Sequence, residues 1–371
     1  MASCGGILKA SDPDRIVRKG AFGRRRSARQ GSCLAPTEHP IFHHSNFIRR
    51  QGNIRVLRFT TDDIPAGDRF DHWREVRGKS VFGVTIELER EKRAQFRGQF
   101  TAEVYGGAIV SEMEASAYRV SRTKQDVARL SGDNLLISWQ VSGGGWMETG
   151  RRRDLYRVGA HDLAVGHSDQ TYRAMPEGNR DFRYRVIKIP LAGRDFTSDR
   201  LFDLSPAPIE DRSSVKQPLR ALFSAIGARD AFLGDPEDCI DAIGRLALMA
   251  TGKLRLHDPE NRTALRMALY HMACDILRRD LRRPELSPAH VARELSISPR
   301  QLHILFEPSG RSFARTLAGL RLARVRGLLR GRPERNVAEI AFACGFDSLA
   351  TFYRAFRAAY GMTPLDARAG L

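Results

Sequence analysis

The chain has 371 residues, a net charge of +18 and a hydrophobic fraction of 42%. This length suits two domains and an additional arm, and the hydrophobic content is sufficient for globular cores. No uninterrupted apolar run approaches the roughly 18 residues of a membrane-spanning helix, so we expect no membrane association. The cysteines are scattered without zinc or disulfide spacing, which favours a reducing, cytoplasmic setting.

The positive charge is concentrated at the two ends of the chain. Residues 1–58 and residues 266–371 each carry nine more basic than acidic side chains, whereas residues 59–265 are neutral. All 18 basic residues of the C-terminal segment are arginines. Arginine suits bidentate contacts with phosphate and guanine, although a GC-rich genome also favours its codons. The distribution indicates a polyanionic partner for the ends and an ordinary globular domain between them.

Residues 1–50 are polar, rich in glycine and arginine, and without hydrophobic periodicity. This composition predicts a disordered basic arm. The cluster Gly23–Arg29 leaves open a second interpretation, in which the arm contacts DNA.

Residues 51–205 show a pattern that changes from helical to alternating. A helix is predicted over Asp68–Val76, after a turn at Pro65–Gly67. The predicted strands that follow are Phe96–Tyr105, Asn134–Val141, Leu155–Val158, Asp162–Val165 and Phe182–Ile189. Short strands at a spacing of about ten residues, with glycine-rich turns between them, are typical of a small barrel or a sandwich.

Residues 206–262 return to helical periodicity. Two apolar faces are predicted, one of Leu219, Leu222, Phe223 and Ile226 and one of Ile240, Ile243, Leu246 and Ala247. Two interpretations stay open for these helices: they form a dimer interface, or they pack on the β domain of their own chain.

Residues 263–371 contain two helix-turn-helix patterns that align with each other. The first runs from Leu286 to Phe306 and the second from Val337 to Phe356. Each has a short helix with one apolar face, a tight turn, and a second helix whose apolar residues are four apart. This layout places a recognition helix in the major groove of DNA. A long helix over about 312–330 would set the spacing of the two units.

The second helix of each pattern supplies the candidate DNA-binding residues. Aligning Phe306 with Phe356 leaves polar side chains on the outer face of both helices. The predicted base-reading residues are Arg300, His303, Tyr353 and Arg354. The predicted phosphate-contacting or positioning residues are Ser298, Gln301, Ser348 and Arg357.

The stretch Ala338–Ser348, followed by Phe352–Arg357 and Tyr360–Pro364, resembles the signature of AraC/XylS-type transcription regulators. The middle of the chain is also similar to the AraC-binding-like, cupin-like sensor domain of such proteins. That similarity is carried by Asp68–Trp73, by Arg119–Thr123 and by the stretch from Gly150 to Leu163.

The resemblance implies an α+β protein with a cupin-like β-barrel or sandwich, a helical linker and a C-terminal all-α domain with two helix-turn-helix units. It also implies a small-molecule effector, promoter DNA and RNA polymerase as partners, a homodimer, a role as an activator, and a place at the nucleoid. Candidates for the lining of the effector pocket are Trp139, Trp146, Tyr156 and Tyr172. Ile304 departs from the family pattern, in which arginine or lysine is common, and Leu349 and Ala350 are apolar where polar residues are common.

A cupin-like domain raises the alternative of a metal enzyme, or of a small-molecule-binding protein, with an accessory DNA-binding domain. His161 and His167 lie close in sequence, and His39, His43 and His44 precede the β domain. Metal-binding barrels of this type offer two histidines one residue apart, and the chain contains no such pair. No phosphate-binding loop and no nucleophile–base pattern is present in the sequence. We therefore expect no cofactor, no metal and no catalytic activity.

Overall fold

The computed structural model describes residues 48–51, 54–196, 201–228, 234–331 and 335–369. The expected arm at Gly23–Arg29 and the histidines His39, His43 and His44 lie outside these ranges.

The larger of two β-sheets has eight strands, all antiparallel to their neighbours. In spatial order they are β1 (Ile48–Gln51), β2 (Ile54–Thr60), β4 (Gly98–Tyr105), β5 (Ala108–Ala115), β12 (Phe182–Pro190), β7 (Asn134–Ser142), β10 (Leu163–His167) and β13 (Ala207–Pro208). The longest strands, β7 and β12, pair with each other near the middle of the sheet.

The smaller sheet has five strands. Their spatial order is β3 (Thr85–Glu87), β6 (Arg119–Arg122), β11 (Tyr172–Pro176), β8 (Gly145–Thr149) and β9 (Asp154–Val158). The described strands thus form a sandwich, and no strand pairing closes them into the barrel that was the other expectation. The fold class α+β is confirmed.

The helix predicted at Asp68–Val76 has an unexpected continuation. An α-helix, α1 (Arg69–Trp73), passes directly into a π-helical segment over Arg74–Phe82. Trp73 and Phe70 are completely buried, and the Trp73 ring lies 5.6–6.1 Å from the rings of Phe59, Phe96 and Phe100. This aromatic cluster covers one end of the sandwich. A short helix, α2 (Lys124–Arg129), lies between β6 and β7.

Three helices cover the outer face of the larger sheet: α3 (Lys216–Ala228), α4 (Pro236–Ala250) and α5 (Pro259–Asp280). Leu219, Phe223 and Ile243 are completely buried in one core with Ile137 of β7 and Ile187 of β12. Of the two interpretations for the helical segment, packing on the sheet of the same chain is confirmed.

The C-terminal region is all-helical. Its elements are α6 (Pro288–Glu294), α7 (Pro299–Phe306), α8 (Phe313–Gly331), α9 (Val337–Ala343), α10 (Leu349–Tyr360) and α11 (Pro364–Ala369). They enclose two separate hydrophobic cores, one around Phe306 and one around Phe356. The helix α8 contributes Phe313 and Leu317 to the first core and Val325 and Leu329 to the second. None of the described helices combines the length and the apolar character that crossing a membrane requires.

A buried arginine ties the two sheets together. Arg122 of β6 donates hydrogen bonds to the carbonyl oxygens of Ser168 (2.6 Å), Gly83 (2.5 Å) and Leu130 (2.5 Å). It also pairs with the carboxylate of Asp169 at 3.5 Å, and both side chains are nearly inaccessible. Although burial favours the neutral acid, hydrogen bonds from Ser131 and from nearby backbone N–H groups hold the pKa of Asp169 below its usual range.

Replacing Arg122 with methionine should lower the free energy of unfolding by about 3–5 kcal/mol, because several buried carbonyls and a buried carboxylate lose their partner. Arg119 provides the control: it lies on the same strand but is exposed, and its contact with Glu89 is 3.4 Å long. Arg119→Met should change stability by less than about 1 kcal/mol. Urea unfolding followed by circular dichroism would measure both, and equal losses would contradict this role for Arg122.

Candidate DNA-binding surface and ligand cavity

The two C-terminal units are built alike. In the first, α6 begins at Ser287, whose side chain accepts a hydrogen bond from the His290 N–H, and Pro288 occupies the first turn. In the second, α9 begins at Asn336, whose side chain accepts from the Ala338 N–H at 2.9 Å. The second helices, α7 and α10, follow after tight turns.

The turns have the same backbone geometry at one position. Ser296 has φ = 56° and Gly345 has φ = 89°, so both residues lie in the left-handed region. Glycine adopts this region without steric conflict, whereas serine is strained there. Ser296 thus takes, in the first turn, the backbone position that a glycine holds in the second. The turn of the second unit is one residue longer. Residues 295–298 separate α6 from α7, whereas residues 344–348 separate α9 from α10.

Side chains at the start of the recognition helices hold the helix ends. Ser298 and Gln301 form a reciprocal capping box: the Ser298 Oγ accepts from the Gln301 N–H (3.1 Å) and the Gln301 Oε1 accepts from the Ser298 N–H (2.9 Å). Ser348 accepts from the Thr351 N–H at 3.4 Å. These contacts leave the Gln301 amide NH₂ and both hydroxyl protons free to donate at the helix N-termini, where anions are favoured.

The outer face of α7 is polar except for one residue. Arg300, Gln301 and His303 are exposed, while Leu302 and Phe306 are buried, as the periodicity predicts. Ile304 is 38% exposed on the same outer face.

The outer face of α10 carries Tyr353, Arg354 and Arg357, which are all exposed. Phe352 and Phe356 are completely buried. Leu349, at the start of α10, is half-buried and packs against the second core.

A junction between the units fixes their separation. Arg321 of α8 donates hydrogen bonds to the carbonyl oxygens of Leu281 (2.8 Å) and Arg283 (2.6 Å), at the end of α5. Gly345, in the second turn, lies against Leu281 and Arg321 so closely that a Cβ atom would collide with both. The second turn is thereby held against the segment that leads into the first unit, and α7 and α10 cannot shift independently.

A separate cavity of about 140 Å³ lies between the two β-sheets. Ser138, Gln140 and Tyr184 line it from the larger sheet, and Trp146 and Tyr172 line it from the smaller sheet. Arg77, from the π-helical segment, completes the wall. Trp146 and Tyr172 are among the residues predicted to line such a pocket, whereas Arg77 and Tyr184 are not.

The other two proposed pocket residues do not line this cavity. Trp139 lies on the opposite face of β7 and packs against Phe223 of α3, with ring centroids 5.8 Å apart. Tyr156 is half-buried in β9 but lies away from the lining. The period of two along a strand could have separated Trp139 from Ser138 and Gln140. No such signal existed for Arg77, because its helix meets the cavity only through the tertiary fold.

The histidines considered as metal ligands are not brought together. His167 is buried, its Nε2 lies 3.0 Å from Asp133 Oδ1, and its Nδ1 accepts a hydrogen bond from the Asp169 N–H at 3.1 Å. His161 is exposed in a turn, with φ = 71°. Because both nitrogens of His167 have protein partners, its role is that of a satisfied core residue.

Two family models match the chain, in the order that the structure suggests. Residues 116–248 match the AraC-like ligand binding domain, and residues 291–370 match a helix-turn-helix domain. Together they cover more than half of the chain. The chain therefore belongs to the AraC-type transcription regulators, with a ligand-binding domain followed by a DNA-binding domain.

Two transcriptional activators are similar in sequence to this chain, over different lengths. The transcriptional activator NphR of Rhodococcus sp is 22% identical over 338 residues, which cover 86% of this chain and 95% of that protein. The transcriptional activator RhrA of Rhizobium meliloti (strain 1021) is 35% identical over 79 residues, which are 21% of this chain and only 25% of RhrA.

Solved structures of AraC-like proteins are also similar. The AraC-like transcriptional activator CuxR is 18% identical, with a TM-score of 0.42, over 73% of this chain and 96% of CuxR. The DNA-binding domain of AdpA, solved with a target DNA, is 22% identical, with a TM-score of 0.26, over 27% of this chain and 90% of that domain.

The junction between the units generates a stability prediction. Gly345→Ala should lower the free energy of unfolding by more than about 1 kcal/mol, because the residue has a positive φ and no room for a Cβ. Gly327→Ala is the control, since Gly327 lies exposed in α8 with no atom near its Cβ position; it should raise stability by up to about 1 kcal/mol. Denaturation curves of both variants decide the matter, and an unchanged midpoint for Gly345→Ala would show that the close approach is not required.

Proposed function

We propose that this regulator is a transcription activator that binds promoter DNA across two successive major grooves and responds to a small molecule between its β-sheets. One observation carries the DNA-binding part of the proposal: two recognition helices expose polar residues while a shared helix and the Arg321–Gly345 junction fix their separation. The role as an activator is suggested by the roles named for NphR and RhrA.

The first recognition helix is the better candidate for reading sequence. Arg300 and His303 are exposed polar residues on its outer face, and an arginine can bind guanine through two hydrogen bonds. On the second helix, the alignment of Phe306 with Phe356 places Tyr353 at the position of His303 and Arg354 at that of Ile304. Ala350, which offers only apolar contact, takes the position of Arg300. We assign base reading to the four polar side chains, with Arg300 as the main contributor.

Phosphate contacts are assigned to residues at the ends of the recognition helices. Ser298, Gln301 and Ser348 lie at helix N-termini, where backbone N–H groups and the helix dipole favour an anion. Arg357 is exposed in the last turn of α10 and makes no ion pair with another described residue.

The strand β7 provides a route from the cavity to the DNA-binding part. Ser138 and Gln140 line the cavity, while Trp139 between them packs against α3. Trp139 also lines a groove that reaches α5 and, at Glu294 and Leu295, the end of α6 in the first helix-turn-helix unit. A ligand that shifts β7 would therefore change the contacts of both α3 and α5.

The chain divides functionally along these lines. We assign residues 51–205 to effector sensing, 206–262 to coupling and 263–371 to DNA binding. The helix α5 crosses the second boundary, because Ala264 and Ala268 belong to the core of the sheet and Cys274 and Leu277 to the first C-terminal core.

RNA polymerase and a second copy of the chain are the further partners proposed for an activator acting at the nucleoid in the cytoplasm. Phe342 of α9, 49% exposed, is an apolar residue available for a protein contact.

The assignment of reader and anchor can be tested on randomised DNA sites. Arg300→Ala should relax base preference in one half of the site, since a good bidentate pair discriminates by about 1–3 kcal/mol. Arg357→Ala should weaken binding to all sequences alike, because a phosphate contact carries no base information. Selection and sequencing of bound sites for each variant would measure this. The assignment is reversed if Arg300→Ala keeps the full preference and Arg357→Ala alters it.

Binding to DNA should itself show two signatures. Footprinting should give protection that repeats at about 10 base pairs on one face of the duplex, as expected for two successive grooves. The logarithm of affinity should fall with the logarithm of salt concentration with a slope of about −0.9 for each phosphate neutralised. A salt-insensitive complex, or no complex with any genomic fragment, would rule out the proposed mode.

A further inference from the structure

Arg77 is a buried cation without a counter-ion in the described part of the chain. Its residue is 5% exposed, and its Nη2 donates only to the sulfur of Met113, at 3.5 Å. Neither Nε nor Nη1 has a hydrogen-bond partner, and no described carboxylate lies within ion-pair distance. Buried arginines are normally paired with an anion. The lack of such a partner for Arg77 suggests that an anion from outside the protein supplies it.

The guanidinium is held in place by aromatic rings. Its Cζ lies 4.7 Å from the centre of the Phe82 ring and 5.7 Å from the centre of the Tyr118 ring. These cation–π contacts compensate for part of the lost hydration, but they satisfy none of the N–H donors. Arg77 therefore lies in the cavity wall with N–H donors at Nε and Nη1 that have no acceptor.

Arg77 is also the one charged side chain among the residues that line the cavity between the sheets. The three tyrosines of the lining stay neutral near pH 7. Burial raises the pKa of Tyr184 to about 12, and it likewise raises the pKa values of Tyr118 and Tyr172. The cavity thus presents a single positive charge that its own walls do not neutralise.

The remaining walls suit a flat apolar body. Trp146, Tyr172, Phe182 and Tyr184 surround the space, together with the sulfur-containing side chain of Met175. The volume of about 140 Å³ is close to that of an apolar protein cavity known to accept one benzene molecule. Trp146 is 39% exposed, so one side of the cavity lies near the surface.

We propose that the effector is a carboxylate carried on a single flat apolar ring, and that Arg77 binds the carboxylate. This inference rests on the proposed function, because it names the class of effector that the same cavity takes. The carboxylate supplies the missing counter-ion and accepts hydrogen bonds from the free guanidinium N–H groups, while the ring lies against the aromatic walls.

The proposal is tested by calorimetric titration of the full-length protein with benzoate and with its neutral analogue benzamide. Benzoate should bind and raise Tm with concentration, and benzamide should bind roughly 10- to 100-fold more weakly, because it lacks the charge-assisted hydrogen bonds. Acetate, which lacks the ring, should bind no more tightly than benzamide. Equal binding of benzoate and benzamide, or no binding of benzoate up to about 10 mM, a range that covers weak small-ligand affinities, would overturn the proposal.

Two variants separate a binding role from a structural role. Arg77→Met should weaken benzoate binding roughly 10- to 100-fold and leave Tm of the ligand-free protein unchanged or higher, since an unpaired buried cation is removed. Arg74→Met is the control: Arg74 lies in the same segment, but its side chain is 41% exposed and paired with Asp71, so benzoate binding should not change. If Arg77→Met retains the benzoate affinity of the wild type, the assignment of Arg77 is wrong. If that variant does not fold, the comparison of benzoate with benzamide on the wild type still decides the ligand class.

Binding of DNA is measured separately on the same protein. Loss of benzoate binding with intact DNA protection would reject this effector class and leave the regulator proposal standing. Benzoate binding without any DNA complex would do the reverse.

Discussion

Along one strand, β7, side chains alternate between the cavity and the helices. The proposed link between ligand binding and DNA binding depends on this alternation. Along β7, Ser138 and Gln140 point to the cavity, and Trp139 points to α3 and α5. Neighbouring side chains of a strand face opposite sides. A movement of β7 at the cavity therefore also changes the contacts of this strand with the helices. The pairing of β7 with β12 places Arg185 over Trp139, at 5.4 Å, on the same helical side.

In the C-terminal region, one helix likewise serves two parts of the structure. Each helix-turn-helix unit has its own core, yet α8 belongs to both, and Arg321 fastens it to the end of α5. A rigid spacing between two recognition helices reduces the ordering that binding would otherwise require. The same rigidity means that a change in α5 is transmitted to both units together. The proposed coupling would therefore let a ligand in the cavity alter how the two helices fit successive grooves.

Buried arginines do two different jobs in the β domain. Arg122 is fully paired and joins the sheets through backbone carbonyls and Asp169. Arg77 is as deeply buried but has donors without acceptors, and it faces the cavity. Since a buried charge is stable only when it is compensated, the protein alone accounts for the first arginine, and for the second we propose an anionic ligand.

Sequence alone determined the features that depend on local order. The helix-turn-helix units, their capping residues Ser287 and Ser298, the outward faces of α7 and α10, and five of the strands follow from periodicity and turn chemistry, which act between residues a few positions apart. The tertiary structure decided what depends on distant residues meeting. The strands form a sandwich, α3 and α4 pack on the larger sheet, and Leu349 packs partly against the second C-terminal core. Trp139 faces α3 and not the cavity, whereas Arg77 lies in the cavity wall. Local pattern fixes which face of an element is apolar, but the partner of that face is set by packing across the whole chain.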